Sequence, residues 1–216
     1  MTGMFRLRHE TLGTVFDLLY LALATNLLLT VALLPVLAAL FVPWLWVTAP
    51  LVAPALCAAF AVFGAHPGPV VRTFGRAWLA ARRRAVPLGA LATGALVVLG
   101  ADIRAAWGRP AGAAVIPVLA VLIVLVLTTT LLGLTALAER PDARLREVLR
   151  AGLYLGVRRW YLTLASLGVL ALLQALFTAR PVLALSLAAS PLLYVVWANS
   201  RHTLAPALRP LQERTP

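Results

Sequence analysis

The 216-residue chain contains no lysine, and all 19 of its basic residues are arginine. That absence excludes a lysine Schiff base and the phosphate-holding lysine of a P-loop. There is one cysteine, Cys57, set in an apolar run, so no intrachain disulfide can form and the thiol reads as a small packing residue. The three histidines, His9, His66 and His202, stand alone at loop or terminal positions, and none has a partner at helical spacing. They offer neither a metal site nor a histidine-based catalytic arrangement, and no cofactor is expected. Charge is scarce as well. Only 12% of residues are charged, against roughly a quarter in soluble domains.

What remains is apolar: 62% of residues are hydrophobic and the mean hydropathy is +0.94. A water-soluble fold with so little polar surface would expose large apolar patches and aggregate, so the expected solvent for most of the chain is lipid. A helical span needs about 20 mostly apolar residues. Six windows qualify, at about 12–34, 47–64, 86–101, 113–137, 160–177 and 182–199. The expected class is therefore an all-α, polytopic helical membrane protein with six spans, forming one integral membrane domain over 1–216. The first apolar run is too long for a signal-peptide core and has Asp17 near its start, so it reads as an uncleaved span. Between the first two windows, "PVLAALFVPWLWVTAP" is broken by Pro35, Pro43 and Pro50. This segment, residues 36–50, reads as irregular or interfacial, with Trp44 and Trp46 at headgroup depth.

The arginines set the orientation. With six spans, Arg6 and Arg8, the group from Arg72 to Arg84, the group from Arg140 to Arg159, and Arg201, Arg209 and Arg214 share one side; only Arg104, Arg109 and Arg180 fall on the other. By the positive-inside rule both termini lie in the cytoplasm. Together with an Ala, Leu, Gly, Pro and Val bias that resembles a GC-rich bacterial genome, this makes a bacterial plasma membrane the expected location. A DNA-binding protein would gather its arginines on one soluble face. Here each cluster, "WLAARRR" (78–84) included, abuts an apolar span, so nucleic acid is not expected as a partner and anionic lipid headgroups are.

Both long arginine-rich loops are patterned as amphipathic helices. Val70, Phe74, Ala77, Trp78 and Ala81 share one face of the first, with Arg72, Arg76 and Arg83 on another. In the second, Leu145, Val148, Leu149, Gly156 and Val157 oppose Glu147, Arg150, Tyr154 and Arg158. Such cytoplasmic helices are expected to lie in the headgroup plane. A shift of 74 positions lays Arg72, Arg76, Leu79, Arg84 and Leu88 over Arg146, Arg150, Leu153, Arg158 and Leu162, a weak sign of internal duplication beside the alternative of two unrelated interfacial helices.

Polar groups inside a bilayer are costly and so are candidate functional residues. Asp17, Gln174 and Asn26 qualify. Asp17 lies close enough to the interface to stay hydrated or to pair with an arginine such as Arg84. Thr128, Thr129, Thr130 and Thr135 make the fourth span polar, and their hydroxyls are expected to bond back to the preceding turn rather than line a path. Ser186 and Ser190 are spaced for close helix contact, with a kink expected at Pro191.

"NLLLTVALLPV" carries more detail. With Asn26 nine residues before Pro35 and Leu34 directly ahead of it, it resembles the first-span signature of the YesL-like bacterial integral membrane proteins. The resemblance extends to Ala55 and Leu56 in the second span and to "RTFGRAW", which supplies Arg72, Phe74 and Arg76. It covers most of the chain in span order; residues 36–50 are a departure, since the family connects its first two spans by a shorter link. What the resemblance implies is a protein with no settled biochemical activity, associated with genes for carbohydrate uptake. Physically, Asn26 is expected to hydrogen-bond across to a neighbouring helix and Pro35 to end the span.

Two functions are expected, in order. The first is an accessory or regulatory partner of a carbohydrate uptake system, with ABC importer subunits as partners. The second is a permease or carrier that moves a small solute itself. "EVLRAGLYLGVRRW" (147–160) is similar in part to the coupling loop of ABC importer permeases, but Val148 and Leu149 stand where alanines are expected. No set of nucleophile, base and orienting group can be assembled, so an enzyme is not expected.

Overall fold

In lipid every backbone N–H and C=O must be satisfied within the chain, so long apolar segments have little choice but to be helical. The computed structural model describes residues 2–39, 41–110, 112–140 and 145–212, with side chains for these except 2–15, 145, 147, 148, 151, 155 and 205–212. The elements in order are α1 (Thr2–Ala38), a 3-10 helix (Pro43–Leu51), α2 (Val52–Gly64), α3 (Val70–Ala106), α4 (Gly112–Glu139), α5 (Leu145–Arg158) and α6 (Trp160–Ala179). A short α7 (Pro181–Leu183) then leads through a π-helical segment (Ala184–Ala188) into α8 (Ala189–Gln212). No strand occurs among the described residues. Six stretches among them are long and apolar enough to cross a membrane: Phe16–Ala38, Pro43–Gly64, Val70–Ala106, Gly112–Glu139, Trp160–Ala179 and Pro181–Leu204. The architecture is all-α and polytopic, with the six windows in the expected order.

The core forms around α2. Ala53, Ala55, Cys57, Ala58, Ala59, Phe60, Val62 and Phe63 are all buried, so α2 is enclosed on most of its circumference, the environment that a helix apolar all round requires. Leu21 and Leu29 of α1, Phe74, Ala81, Ala85 and Leu88 of α3, Leu131, Leu134 and Leu137 of α4, and Leu193, Val196 and Trp197 of α8 complete this cluster. Cys57 occupies the packing role that its surroundings imply.

Helix α2 turns back into α3 through residues 65–69, and the two pack closely because Gly89 has no side chain. A Cβ there would lie 2.7 Å from both the Pro50 carbonyl oxygen and the Ala53 Cβ. Arg82, Arg83 and Arg84 fall between that contact and the turn, so they run alongside α2 rather than beyond its end, with Arg82 and Arg83 exposed.

The first amphipathic stretch is not a separate helix. It is the N-terminal half of α3, whose 37 residues extend about 55 Å at 1.5 Å per residue. The face assignment holds: Val70, Phe74 and Ala81 are buried, Ala77 and Trp78 partly so, and Arg72, Arg76 and Arg83 exposed. The apolar face, however, meets the protein core instead of lying in a headgroup plane.

The second amphipathic helix, α5, likewise packs on protein. Gly152 faces the Thr129 carbonyl and Leu132 of α4, and a Cβ on Gly156 would lie 2.6 Å from the Thr128 Cγ2. Leu149 is partly buried, whereas Val157, assigned to the apolar stripe, is exposed. Leu145, Val148 and Glu147 have side chains outside the described set. The two loop regions also differ in form, since α3 continues unbroken while α5 and α6 are separated at Arg159. That difference weighs against duplication.

Proline acts later than expected in α1. Pro35 sits inside the helix, which continues to Ala38. Beyond it, Pro43–Leu51 forms the irregular segment, a 3-10 helix with Trp44 and Trp46 exposed and the Thr48 hydroxyl donating to the Leu45 carbonyl at 2.7 Å.

Candidate functional site: an amide-floored cavity between spans

A carboxamide in an apolar helix must find partners or lose its hydration without return. Asn26 is 2% exposed and finds them in the last span. Its Nδ2 donates to the Ser186 carbonyl at 2.9 Å, and the Ser190 N–H donates to its Oδ1 at 2.6 Å. Ser186 and Ser190 are four residues apart, so their backbone groups are the two ends of what would be one ordinary helical rung. The Asn26 amide is inserted into that rung like an extra peptide unit. Pro191 has no N–H and removes the next rung. The ladder widens here into the π segment Ala184–Ala188. The perturbation foreseen at Pro191 is thus a local opening of the helix, held by a side chain from α1.

Beside this junction lies a cavity of about 320 Å³ between α1, α2, α6 and the α7–α8 rod. Asn26, Leu29, Ala189 and Leu193 are buried in its wall, and Leu33, Val52, Leu56, Leu170, Leu173 and Phe177 add apolar lining. Gln174 is the second polar residue of the lining and is exposed.

Elsewhere in the spans, polar groups hold helices together or close on themselves. Thr128, Thr129, Thr130 and Thr135 each donate to the carbonyl four residues back, at 2.7–2.9 Å. Asn199 donates to the Ser166 Oγ at 2.7 Å and to the Leu162 carbonyl, tying α8 to α6. Next to it, Thr128, Thr163, Ser166, Ser200 and Thr203 surround a space of about 10 Å³, room for a single water. Toward the arginine-rich end, Arg159 donates to the His202 carbonyl at 2.9 Å. Arg201 stacks over Trp197 at 5.3 Å, and its Nε lies 2.9 Å from Glu139 Oε1. Phe63, Tyr194 and Trp197 form a ring cluster there, with centroids 5.5–6.1 Å apart.

The residues singled out in the sequence are therefore dispersed. Asn26 and Gln174 share the cavity. Phe74 is core, Arg72 and Arg76 are exposed on α3, and Leu34 and Pro35 are exposed on α1. Asp17 is exposed on α1. The cavity itself and the role of Asn199 were not foreseen. Asn199 stands at the edge of the last apolar window and so reads as a boundary residue, although an amide in the middle of a long helix is a signal of an interhelical bond. No family model, curated protein or solved structure matches this chain.

Proposed function

We propose that the chain is embedded in a bacterial plasma membrane with its arginine-rich side in the cytoplasm and acts as an accessory or regulatory partner of a solute importer. One observation carries this reading: Asn26 and Asn199 are spent on contacts between helices, the threonines of α4 bond back to their own helix, and the cavity is lined by apolar side chains apart from Asn26 and Gln174. This cavity offers a hydrophilic solute few polar partners among the described residues. The resemblance to YesL-like proteins supports carbohydrate uptake as the setting, with ABC importer subunits as partners, and the exposed arginines of α3 and α5 offer anionic lipid headgroups a contact surface. No catalytic role is proposed.

Crosslinking and affinity purification from native membranes test the proposal, with recovery of importer subunits expected and recovery of the protein alone contradicting it. The competing reading, a carrier in its own right, draws on Gln174 as a polar group lining a cavity. Solute flux in vesicles containing only this chain, lost on Gln174→Leu, would establish that reading instead.

A further inference from the structure

The cavity between α1, α2, α6 and α8 has a closed floor and an open rim. Asn26, Leu29, Ala189 and Leu193 are buried, while Gln174 is exposed. The floor amide is committed to Ser186 and Ser190, so no strong polar group remains inside. Among the described residues no lining side chain is charged, which leaves none of them to bind a phosphate, a carboxylate or a cation. An apolar cavity stays dry, and the molecule that fills it must itself be apolar.

The surroundings of the opening indicate the source of that molecule. Leu172 on α6 and Val182, Leu183 and Leu187 on the α7–α8 rod are large apolar residues exposed on the same helices, so the rim gives onto hydrocarbon rather than water. Gln174 lies five residues before the end of α6, about 7 Å along the axis, within reach of the ester layer for a long side chain. A volume of about 320 Å³ accommodates a single chain and not a whole two-chain lipid.

We propose that this cavity is a binding site for one acyl chain of a bilayer phospholipid, with the Gln174 carboxamide donating a hydrogen bond to the ester carbonyl of that chain. The inference rests on the six helices being embedded in a bilayer and is independent of any importer partner. Bound lipid would fill the gap between α1 and the π-helical segment ahead of α8, linking the Asn26 junction to the composition of the membrane.

The test uses the full chain in vesicles of phosphatidylethanolamine and phosphatidylglycerol, doped with a phospholipid that carries a photoreactive diazirine at the end of one acyl chain. Crosslinks are expected on the lining residues Leu33, Leu56 and Leu170 as well as on the outward residues Leu172 and Val182. Ala189→Phe fills the cavity from α8 and Leu33→Trp fills it from α1. Either variant is expected to lower lining crosslinks roughly tenfold while leaving the outward ones unchanged. Using two opposite walls keeps the test intact if one variant misfolds. A second probe with the diazirine beside the ester is expected to label around residue 174, and Gln174→Leu, at an exposed position, should reduce that labelling alone. Crosslinks on Leu172 and Val182 without any on the lining residues would overturn the site while leaving the embedding in place. The absence of both sets would overturn the embedding itself.

Discussion

Asn26 shows how a single polar side chain can decide the shape of a helix it does not belong to. Its amide replaces one peptide–peptide rung of the last span, so the energetic question is what the rung does when the amide is removed. In Asn26→Leu the Ser186 carbonyl and Ser190 N–H can approach and re-form an ordinary bond, which limits the loss to about 1–2 kcal/mol. A lower thermal midpoint in detergent is expected, and an unchanged midpoint would contradict the role. The adjacent residue offers the opposite sign. Thr25 is fully buried and its hydroxyl has no hydrogen-bond partner among the described residues. Thr25→Val keeps the shape and removes the unsatisfied group, so it is expected to raise stability by about 1 kcal/mol, measured as a raised midpoint in the same assay. The need of Asn26 for a partner was legible in the sequence because the residue interrupts an apolar run. The identity of the partner was not, since Ser186 and Ser190 contribute backbone groups, and backbone groups carry no signature in residue type.

At the scale of elements, small residues determine which helices can touch. Gly156 of α5 and Thr128 of α4 meet so closely that a Cβ on the glycine would lie 2.6 Å from the threonine Cγ2. Gly156→Ala is therefore expected to destabilise by about 1–3 kcal/mol through overpacking. Thr128→Ser deletes that methyl and keeps the hydroxyl that bonds the Val124 carbonyl. It should rescue most of the loss in a double-mutant cycle, whereas strict additivity of the two changes would contradict the contact. This packing also explains where the sequence reading of the amphipathic stretches stopped short. Periodicity finds the apolar face of α3 and of α5 because the period is a property of the helix alone. It does not say whether that face meets lipid headgroups or another helix, and the glycines at 152 and 156, four residues apart, were the available sign that it meets a helix.

For the whole molecule, composition and hydropathy were sufficient to read six spans and their order, because burying unpaired backbone in hydrocarbon is costly enough to override local detail. Depth was less legible. The Gly89 contact brings the arginine triplet alongside α2, and an arginine at mid-bilayer costs several kcal/mol. On the proposed embedding, the arginine-side part of α2 is expected near the interface, with the exposed guanidinium groups of Arg82 and Arg83 in the headgroup layer. A cysteine at Arg83 is accordingly expected to react with an aqueous thiol reagent in opened vesicles at a rate comparable to one at Arg76, and an inert Arg83→Cys would contradict this depth.

The most direct measurement of the central claim is sidedness. In a Cys57→Ala background, single cysteines are introduced by Arg76→Cys on the arginine-rich side and by Arg109→Cys in the turn between α3 and α4, both at exposed positions. A membrane-impermeant maleimide added to intact cells is expected to label the cysteine at 109 and to leave the one at 76 unlabelled until the membrane is opened. Labelling of 76 in intact cells, or equal labelling of both, would contradict the account.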